Sequence, residues 1–367
     1  MFSANDIATL IVSPEHVETF SLTDWNELVF ILRKEKMLAR FYDILERAQL
    51  ATCVPPEALR HFINARIVSR KQNELAKKEA AELSRALGNM ADFVVFLKGV
   101  AYSVTDNAAS LGRVYSDIDL LVPKETLVNV EQYLAVVGWK RKALEDYDEM
   151  YYRKWAHEIP PMQHGSRGTV LDIHHNLVPI ISGRGIDTRA FVDEYSATHD
   201  GVSVLTESAM FFHSAIHLLF NEDMSSAFRD MTDLYLLSYS QPQEFYLDVL
   251  EITEKHGFKK ECILAFHLLS IHFNIKLPLS VETSVNEELK NISICELKLL
   301  KRLTLPKHPL LADGELLFNQ WLGEIRGHWM KMPLFVLTYH ITIKSCRTII
   351  QSIFGKHVFL KSDRDRL

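Results

Sequence analysis

The chain has few cysteines and no long hydrophobic run, and each absence excludes a class of protein. Among its 367 residues are four cysteines, widely scattered and without a Cys-x-x-Cys pair. This spacing argues against a zinc or disulfide framework and favours a reduced, cytoplasmic chain. The longest apolar stretches, such as residues 333–343, are well short of the roughly 20 residues that span a bilayer. The first residues also lack the basic region and apolar core of a secretory signal.

The chain also lacks an excess of positive charge, internal repeats and low-complexity segments. Its formal net charge is −6 and it contains no long basic run, so bulk charge gives no support to non-specific nucleic-acid binding. Apolar residues make up 47% of the sequence and charged residues 24%, which is typical of a soluble globular protein. The length is sufficient for two or three modest domains.

Apolar periodicity divides the chain into three regions. Residues 1–90 are predicted to be an N-terminal helical region, in which Pro55-Pro56 separates shorter helices from a long one that stops near Gly88. Residues 91–184 mix strand and helix patterns and predict an α/β or α+β core of modest size. Residues 185–367 are predicted to be a C-terminal helical domain. Its last part, residues 333–354 with Lys356 just beyond, predicts a basic amphipathic helix with a solvated face.

The central region contains several short apolar runs that predict strands. We expect strands over residues 93–97, 113–122, 147–155 and 169–174. A short helix is expected over residues 100–104, and a longer one over residues 124–137, closed by Gly138.

Asp117 and Asp119 are the most informative pair in this region. Side chains two apart in a strand point to the same face, so both carboxylates are expected to project together. Like charges so close repel each other and are costly to desolvate. A hard divalent cation such as Mg²⁺ offsets both penalties. Asp172 lies in another short apolar run, and three carboxylates from two adjacent strands can hold two such ions for phosphoryl transfer.

Phosphate-binding groups are predicted upstream of these acids. Lys98 and Gly99 lie where a strand ends and a helix begins, and helix N-terminal amides favour anions. Lys98 and Arg113 can also form charge-assisted bonds to phosphate. The alternatives are a surface lysine, an arginine that pairs with a carboxylate of the site, and a glycine required by the turn.

These segments together resemble a known family. The resemblance, over roughly residues 20–240, is to the nucleotidyltransferase-5 family of mostly uncharacterised bacterial proteins, within the DNA polymerase β-like superfamily. The segments that carry it are Phe96-Leu97-Lys98-Gly99, Arg113, Ser116-Asp117-Ile118-Asp119-Leu120-Leu121-Val122, Leu171-Asp172-Ile173-His174 and Phe228-Arg229-Asp230-Met231-Thr232-Asp233-Leu234.

The resemblance implies an α+β fold with a small mixed β-sheet between helical regions, and a Mg²⁺-dependent transferase. It implies two metal ions, with Mn²⁺ as an alternative, and a nucleoside triphosphate as substrate. Asp117, Asp119 and Asp172 match the metal-binding, catalytic acids. The triphosphate is assigned to Lys98, Gly99, Arg113 and Ser116. One departure is that Val100 stands where the superfamily usually has a serine that helps to hold phosphate.

Four further residues are candidates for substrate contacts. His157 lies in a Pro-rich loop with His164, where exposure is expected, and His174 shares a strand face with Asp172. The alternative for His174 is a half-buried, hydrogen-bonded histidine. Arg229 and Asp230 can face the cleft, although Arg229 with Asp233 four residues later also fits a structural ion pair.

Three functional hypotheses follow. The first is transfer of a nucleoside monophosphate to an acceptor, which can be a small molecule, a protein or an RNA, with release of pyrophosphate. The second is transfer of another phosphate-linked group, such as phosphocholine, on the same scaffold. The third, motivated by the missing serine, is an inactive binding or regulatory module. The acceptor, the base preference and the oligomeric state cannot be read from the sequence.

Overall fold

A computed structural model describes residues 2–141, 144, 146–311 and 316–354. The fold is α+β, with one mixed seven-stranded sheet flanked by helical regions, which confirms the predicted class. The strands are β1 (Val95–Phe96), β2 (Ile118–Leu121), β3 (Trp139–Arg141), β4 (Met162–His164), β5 (Val170–His174), β6 (Ser196–His199) and β7 (Val202–Leu205). The helices of the first two regions are α1 (Ala4–Val12), α2 (Leu22–Lys34), α3 (Leu38–Arg47), α4 (Pro56–Leu87), α5 (Lys98–Val104), α6 (Leu127–Val136) and α7 (Asp146–Lys154). The later helices are α8 (Thr188–Tyr195), α9 (Glu207–Phe220), α10 (Ala227–Ser238), α11 (Gln243–His256), α12 (Lys259–Phe273), α13 (Leu279–Leu289), α14 (Ile294–Leu303), α15 (Leu316–Lys331) and α16 (Leu334–Phe354).

The N-terminal region is helical, as predicted. Helix α2 begins with a capping box, in which Ser21 and Asp24 each accept a hydrogen bond from the other's backbone N–H. The long helix α4 starts at the predicted proline pair and ends at Gly88. Its buried residues include Phe62, which packs against Trp25 of α2 and Tyr42 of α3 and ties the three helices together.

The sheet has the strand order β3-β4-β5-β2-β1-β7-β6. At its centre, β2 pairs with β5 in parallel and with β1 antiparallel. Strands were predicted at the positions of β1, β2 and β5, and all three are present but shorter than predicted. Before β2, the segment from Arg113 to Asp117 leads into the strand without pairing. All four residues of β2 are buried, as expected for a central strand covered on both faces.

One predicted strand is wrong. A strand was predicted over residues 147–155, but residues 146–154 form the helix α7, although their aromatic side chains favour strands by propensity. Acidic residues in the first turn and basic residues in the last complement the helix dipole. Glu149 and Arg153, four residues apart, also form an ion pair of 2.7 Å, which favours the helix.

Four strands were not predicted. The short strands β3 and β4 pair with each other beside β5, and His164 is a buried residue of β4 rather than an exposed loop residue. Strands β6 and β7 extend the sheet beyond residue 184, because β7 pairs in parallel with β1. The division into three regions stays a prediction, and the sheet continues past its second boundary.

Helices α9 to α16 lie in the region 185–367 that was predicted to be helical. Most residues of α9 are buried, because the helix packs against α5, α10, α11 and α12. The predicted C-terminal helix is present as α16, whereas Lys356 lies outside the described residues. Among the helices that the structure describes, none combines the length and hydrophobicity needed to cross a bilayer.

A buried histidine in this region is expected to make the fold sensitive to acid. The hydroxyl of Thr304 donates to Leu300 O, so His272 Nε2, 2.9 Å away, donates to that hydroxyl oxygen. Its Nδ1 is buried without a partner, and burial lowers the pKa of His272 to about 4. The unfolded chain therefore binds an extra proton as the pH falls from about 6.5 to 4, which costs on the order of 3 kcal/mol of stability.

We expect His272→Gln to flatten the dependence of unfolding free energy on pH in this window, by about one proton at most. Urea unfolding at a series of pH values measures the slope. The exposed His199, changed to Gln, is the matched control and should leave the slope as in the parent. An unchanged slope in His272→Gln would contradict the assignment.

Candidate active site

Strands β2 and β5 bring two of the predicted acids side by side. Asp119 and Asp172 are direct partners in the parallel register, and paired residues of neighbouring strands project to the same face. Asp117 lies just before β2, and its carboxylate opens into the same cavity. The three predicted acids therefore meet at one place, although they come from segments separated by about fifty residues in sequence.

This cavity has a volume of about 200 Å³ and is rich in charge. Its carboxylates outnumber its cations by six to three. The acids are Asp117, Asp119, Glu158, Asp172, Asp230 and Asp233, and the cations are Lys98, Arg113 and Arg229. The remaining lining residues are Tyr102, Ser116, Ser214 and His217. Most of the predicted site residues are thus gathered around one negatively charged cavity.

Lys98 lies directly over the acid pair. The backbone N–H of Leu97 donates to Asp119 O, which sets the start of α5 beside β2. Lys98 has a positive φ of 48°, an uncommon backbone conformation, and its Nζ donates to Asp119 Oδ1 at 2.7 Å. His174 Nε2 contacts the same oxygen at 3.0 Å. Burial alone would raise the pKa of Asp119, but Lys98 and His174 outweigh it and hold that pKa well below its usual value.

The other two acids have no such compensation. Burial raises the pKa of Asp117, and the charge of Asp119 adds to the effect, while Ser116 Oγ donates to Asp117 Oδ1 at 3.1 Å. Burial, followed by the charges of Glu158 and Asp119, raises the pKa of Asp172 to about 8. Asp172 Oδ1 is buried without a hydrogen-bond partner. The site is therefore short of positive charge at Asp172.

Arg113 is held in a buried ion-pair network. Its Nε donates to Asp233 Oδ2 at 2.9 Å, and Arg40 NH1 lies 2.6 Å from Asp233 Oδ1. Arg40 also donates to the backbone oxygens of Ala109 and Leu111. All three charged side chains are nearly inaccessible to solvent. Arg113 therefore lines the cavity while Asp233 holds its guanidinium in place.

Gly99 is required by the position of Arg113. A Cβ at this residue would lie 2.3 Å from Arg113 NH1 and 3.0 Å from Tyr115 Cε1. The space beside Gly99 is therefore filled by the guanidinium in this structure. Its assignment to phosphate binding stays a prediction.

Gly99→Ala is expected to lower the free energy of unfolding by about 1–3 kcal/mol, because Arg113 is pinned by Asp233 and cannot give way freely. The measurement is urea unfolding. Gly165→Ala is the control, since its Cβ would meet Gly138 O at 3.6 Å and Lys140 Cε at 3.9 Å, both ordinary van der Waals distances. Equal stabilities of the two variants would show that Arg113 moves at no cost.

Arg229 and Asp230, from helix α10, also line the cavity. Arg229 does not pair with Asp233, as the helical spacing suggested, but with the neighbouring Asp230, whose Oδ1 accepts from Nε at 2.9 Å and from NH2 at 2.8 Å. Asp233 instead forms ion pairs with Arg40 and Arg113. Both Arg229 and Asp230 keep partial exposure towards the cavity, and their substrate roles stay predictions.

The two candidate histidines lie behind the acids. His174 is buried and hydrogen-bonded to Asp119, which corresponds to the structural alternative, and its ring lies 5.1 Å from that of His157. Neither residue lines the cavity, so a direct contact with substrate stays a prediction for both. His157 is half-buried rather than exposed.

Several lining residues were not predicted. Tyr102 lies on α5 four residues after Lys98, so helical spacing was a usable signal. Its hydroxyl is 2.6 Å from Ser214 Oγ of α9, which joins the two helices at the cavity wall. Glu158 lies in the segment between α7 and β4, where nothing in the sequence pattern distinguished it from an exposed acid.

Comparison with known proteins agrees with this geometry. A family model described as "Uncharacterised nucleotidyltransferase" matches residues 21–274, from the start of α2 to the end of α12. None of the curated proteins compared with the chain is similar to it. The matched segment contains every residue that lines the cavity. Since it covers more than half of the sequence, the chain belongs to this nucleotidyltransferase family.

Proposed function

We propose that this protein transfers a nucleoside monophosphate from a nucleoside triphosphate to an acceptor hydroxyl or phosphate, with release of pyrophosphate. The observation that carries the proposal is the register of β2 and β5, which pairs Asp119 with Asp172 and places Asp117 at the same cavity. Family membership supports nucleotidyl transfer as the general activity.

The donor set fits magnesium, with manganese as an alternative. The residues that would hold two such ions are Asp117, Asp119 and Asp172, which offer the carboxylate oxygens these cations prefer. The partnerless Asp172 Oδ1 and the excess of carboxylates over cations are features that bound cations would relieve. When bound, magnesium supplies charge neutralisation for the triphosphate and for the transferred phosphoryl group.

The chain's own side chains bind and orient the substrates. Lys98 Nζ, now on Asp119, is close enough to the acids to bind a phosphate oxygen, and Arg113 presents a fixed guanidinium on the same wall. Together they take the role of the serine that Val100 replaces. Once it is ionised beside a bound cation, Asp172 would accept the proton of the acceptor hydroxyl through Oδ1, which has no other partner. Arg229 and Asp230, which also line the cavity, would contact the base or the acceptor.

The test uses purified protein with each of the four α-labelled nucleoside triphosphates and MgCl₂. One arm measures magnesium-dependent binding by calorimetry, which needs no acceptor. The other measures transfer of label and release of pyrophosphate with fractionated small molecules, proteins and RNA as acceptors. Asp119→Asn should lose both, while Asp248→Asn, an exposed acid on α11, should match the parent.

Two outcomes would replace the proposal. Transfer from a diphosphocholine-type donor, but from no nucleoside triphosphate, would favour phosphotransfer of another group on this scaffold. Absence of binding at millimolar magnesium and nucleotide would favour an inactive module. That hypothesis is motivated by Val100, a buried residue that stands where the superfamily usually has a serine.

A further inference from the structure

A second cluster of potential metal ligands lies behind the acid pair. It consists of His157 and Glu158, in the segment between α7 and β4, and His174 at the end of β5. Each offers one ligand atom, and these atoms all lie within 4.8 Å of one another. Among the residues that the structure describes, no other group of three or more His, Cys, Asp or Glu side chains has its ligand atoms this close together.

The backbone fixes the two segments of this cluster to each other. Glu158 and His174 form an antiparallel bridge, and the N–H of His175 donates to His157 O at 2.8 Å. The ligand-type side chains are therefore presented by extended segments that are hydrogen-bonded together.

One separation in this cluster matches that between two ligands of a tetrahedral ion. His174 Nε2 lies 3.5 Å from Glu158 Oε2. Around Zn²⁺, with bonds of roughly 2.0–2.2 Å, nitrogen and oxygen ligands are about 3.4 Å apart. This pair already has the separation of two ligands of one ion. The ring of His157 lies 5.1 Å from that of His174, on the remaining side of the cluster.

An unsatisfied polar atom also points to a missing ligand. Nδ1 of His157 is buried without a hydrogen-bond partner. Buried polar atoms normally have partners, so this nitrogen requires an explanation. His174 Nε2, the ligand atom of the other ring, contacts Asp119 Oδ1 at 3.0 Å, and a bound ion would replace that contact.

We propose that His157, Glu158 and His174 bind a zinc-like divalent transition metal, at a position beside the all-carboxylate magnesium site. Imidazole suits Zn²⁺ and Co²⁺ but not Mg²⁺, which prefers oxygen ligands. Two histidines and one glutamate form a three-residue set that leaves a fourth position open. Glu158 lines the cavity, so the ion enters from there and its open position takes water or a phosphate oxygen.

The experiment titrates the chelator-treated full chain with Co²⁺ and follows its visible absorption. We expect one equivalent to bind with the spectrum of a four-coordinate nitrogen–oxygen site, and Zn²⁺ to displace it. His157→Ala should weaken binding by at least about 100-fold, because loss of a ligand costs no less than the 10–100-fold typical of outer-shell partners. Glu158→Gln, at a partly exposed position, is a second variant in case His157→Ala fails to fold.

Two controls separate this site from others. His199→Ala, an exposed histidine on β6, should bind Co²⁺ as the parent does. Asp117→Asn should keep Co²⁺ binding while losing magnesium-dependent nucleotide binding, so this inference and the proposed function can fail independently. The inference is overturned if the parent binds no Co²⁺ below millimolar concentrations. It is equally overturned if Asp117→Asn abolishes Co²⁺ binding and the His157 and Glu158 variants do not.

Discussion

Asp172→Asn is expected to abolish nucleotidyl transfer while making the metal-free protein more stable. The carboxylate is surrounded by Glu158, Asp119 and Asp117, and its Oδ1 has no partner. Removing its charge relieves that repulsion, but it also removes a metal ligand and the proposed proton acceptor. Transfer should fall at least about a thousandfold, which corresponds to about 4 kcal/mol of transition-state stabilisation.

The gain in stability should depend on pH in a defined direction. The folded protein keeps the proton of Asp172 up to a pKa of about 8, whereas the unfolded chain loses it near pH 4. The parent's stability therefore falls as the pH rises between these values, and asparagine removes this loss. The difference between variant and parent should be small near pH 4 and grow to a few kcal/mol near pH 8.

Urea unfolding in a chelating buffer, at pH 4.5 and pH 8, measures this difference, with Asp248→Asn as the surface control. A variant that is inactive and less stable than the parent at both pH values would show that Asp172 has a structural role. A variant that retains parental turnover would refute the assignment of Asp172 to the reaction.

Asp233→Asn is expected to cost about 3–5 kcal/mol of stability, the usual range for breaking a buried ion pair from one side. Its carboxylate lies between Arg40 and Arg113, and neither arginine has another described carboxylate partner. The change leaves two buried guanidinium groups facing a neutral amide. It should also raise the KM for nucleotide, because Arg113 loses the contact that fixes it at the cavity.

Asp230→Asn is the matched control for this experiment. It lies on the same helix, pairs only with Arg229 among the described residues, and its side chain is 24% exposed. Such a pair contributes about 1 kcal/mol at most. Thermal and urea unfolding of the two variants should therefore differ by several kcal/mol. Similar losses of unfolding free energy in both variants would mean that the ion pairs of Asp233 contribute no more to stability than the pair of Asp230 with Arg229.

The sequence was sufficient to predict the three acids but not the manner in which they meet. Strand alternation placed Asp117 beside Asp119, and the apolar run around Asp172 indicated a second strand. The register that pairs Asp119 with Asp172 depends on a contact between distant segments, which no local pattern specifies. The same holds for Asp233, whose helical spacing suggested Arg229, whereas its partners come from distant parts of the chain.

Short or ambiguous segments account for the errors in the fold. Residues 147–155 are rich in tyrosine and were predicted as a strand, but their charges favour the helix that forms. Strands β3 and β4 have three residues each, too few for alternation to be recognised. Strands β6 and β7 lie among helices; β7 is stabilised by pairing with β1 and β6 by pairing with β7, and the first of these contacts is a tertiary effect.

The most direct test is a crystal structure with a non-hydrolysable nucleoside triphosphate and Mn²⁺. We expect anomalous density for Mn²⁺ between the side chains at positions 117, 119 and 172, in contact with the triphosphate oxygens. Manganese or triphosphate bound elsewhere, with these three carboxylates coordinating nothing, would contradict it.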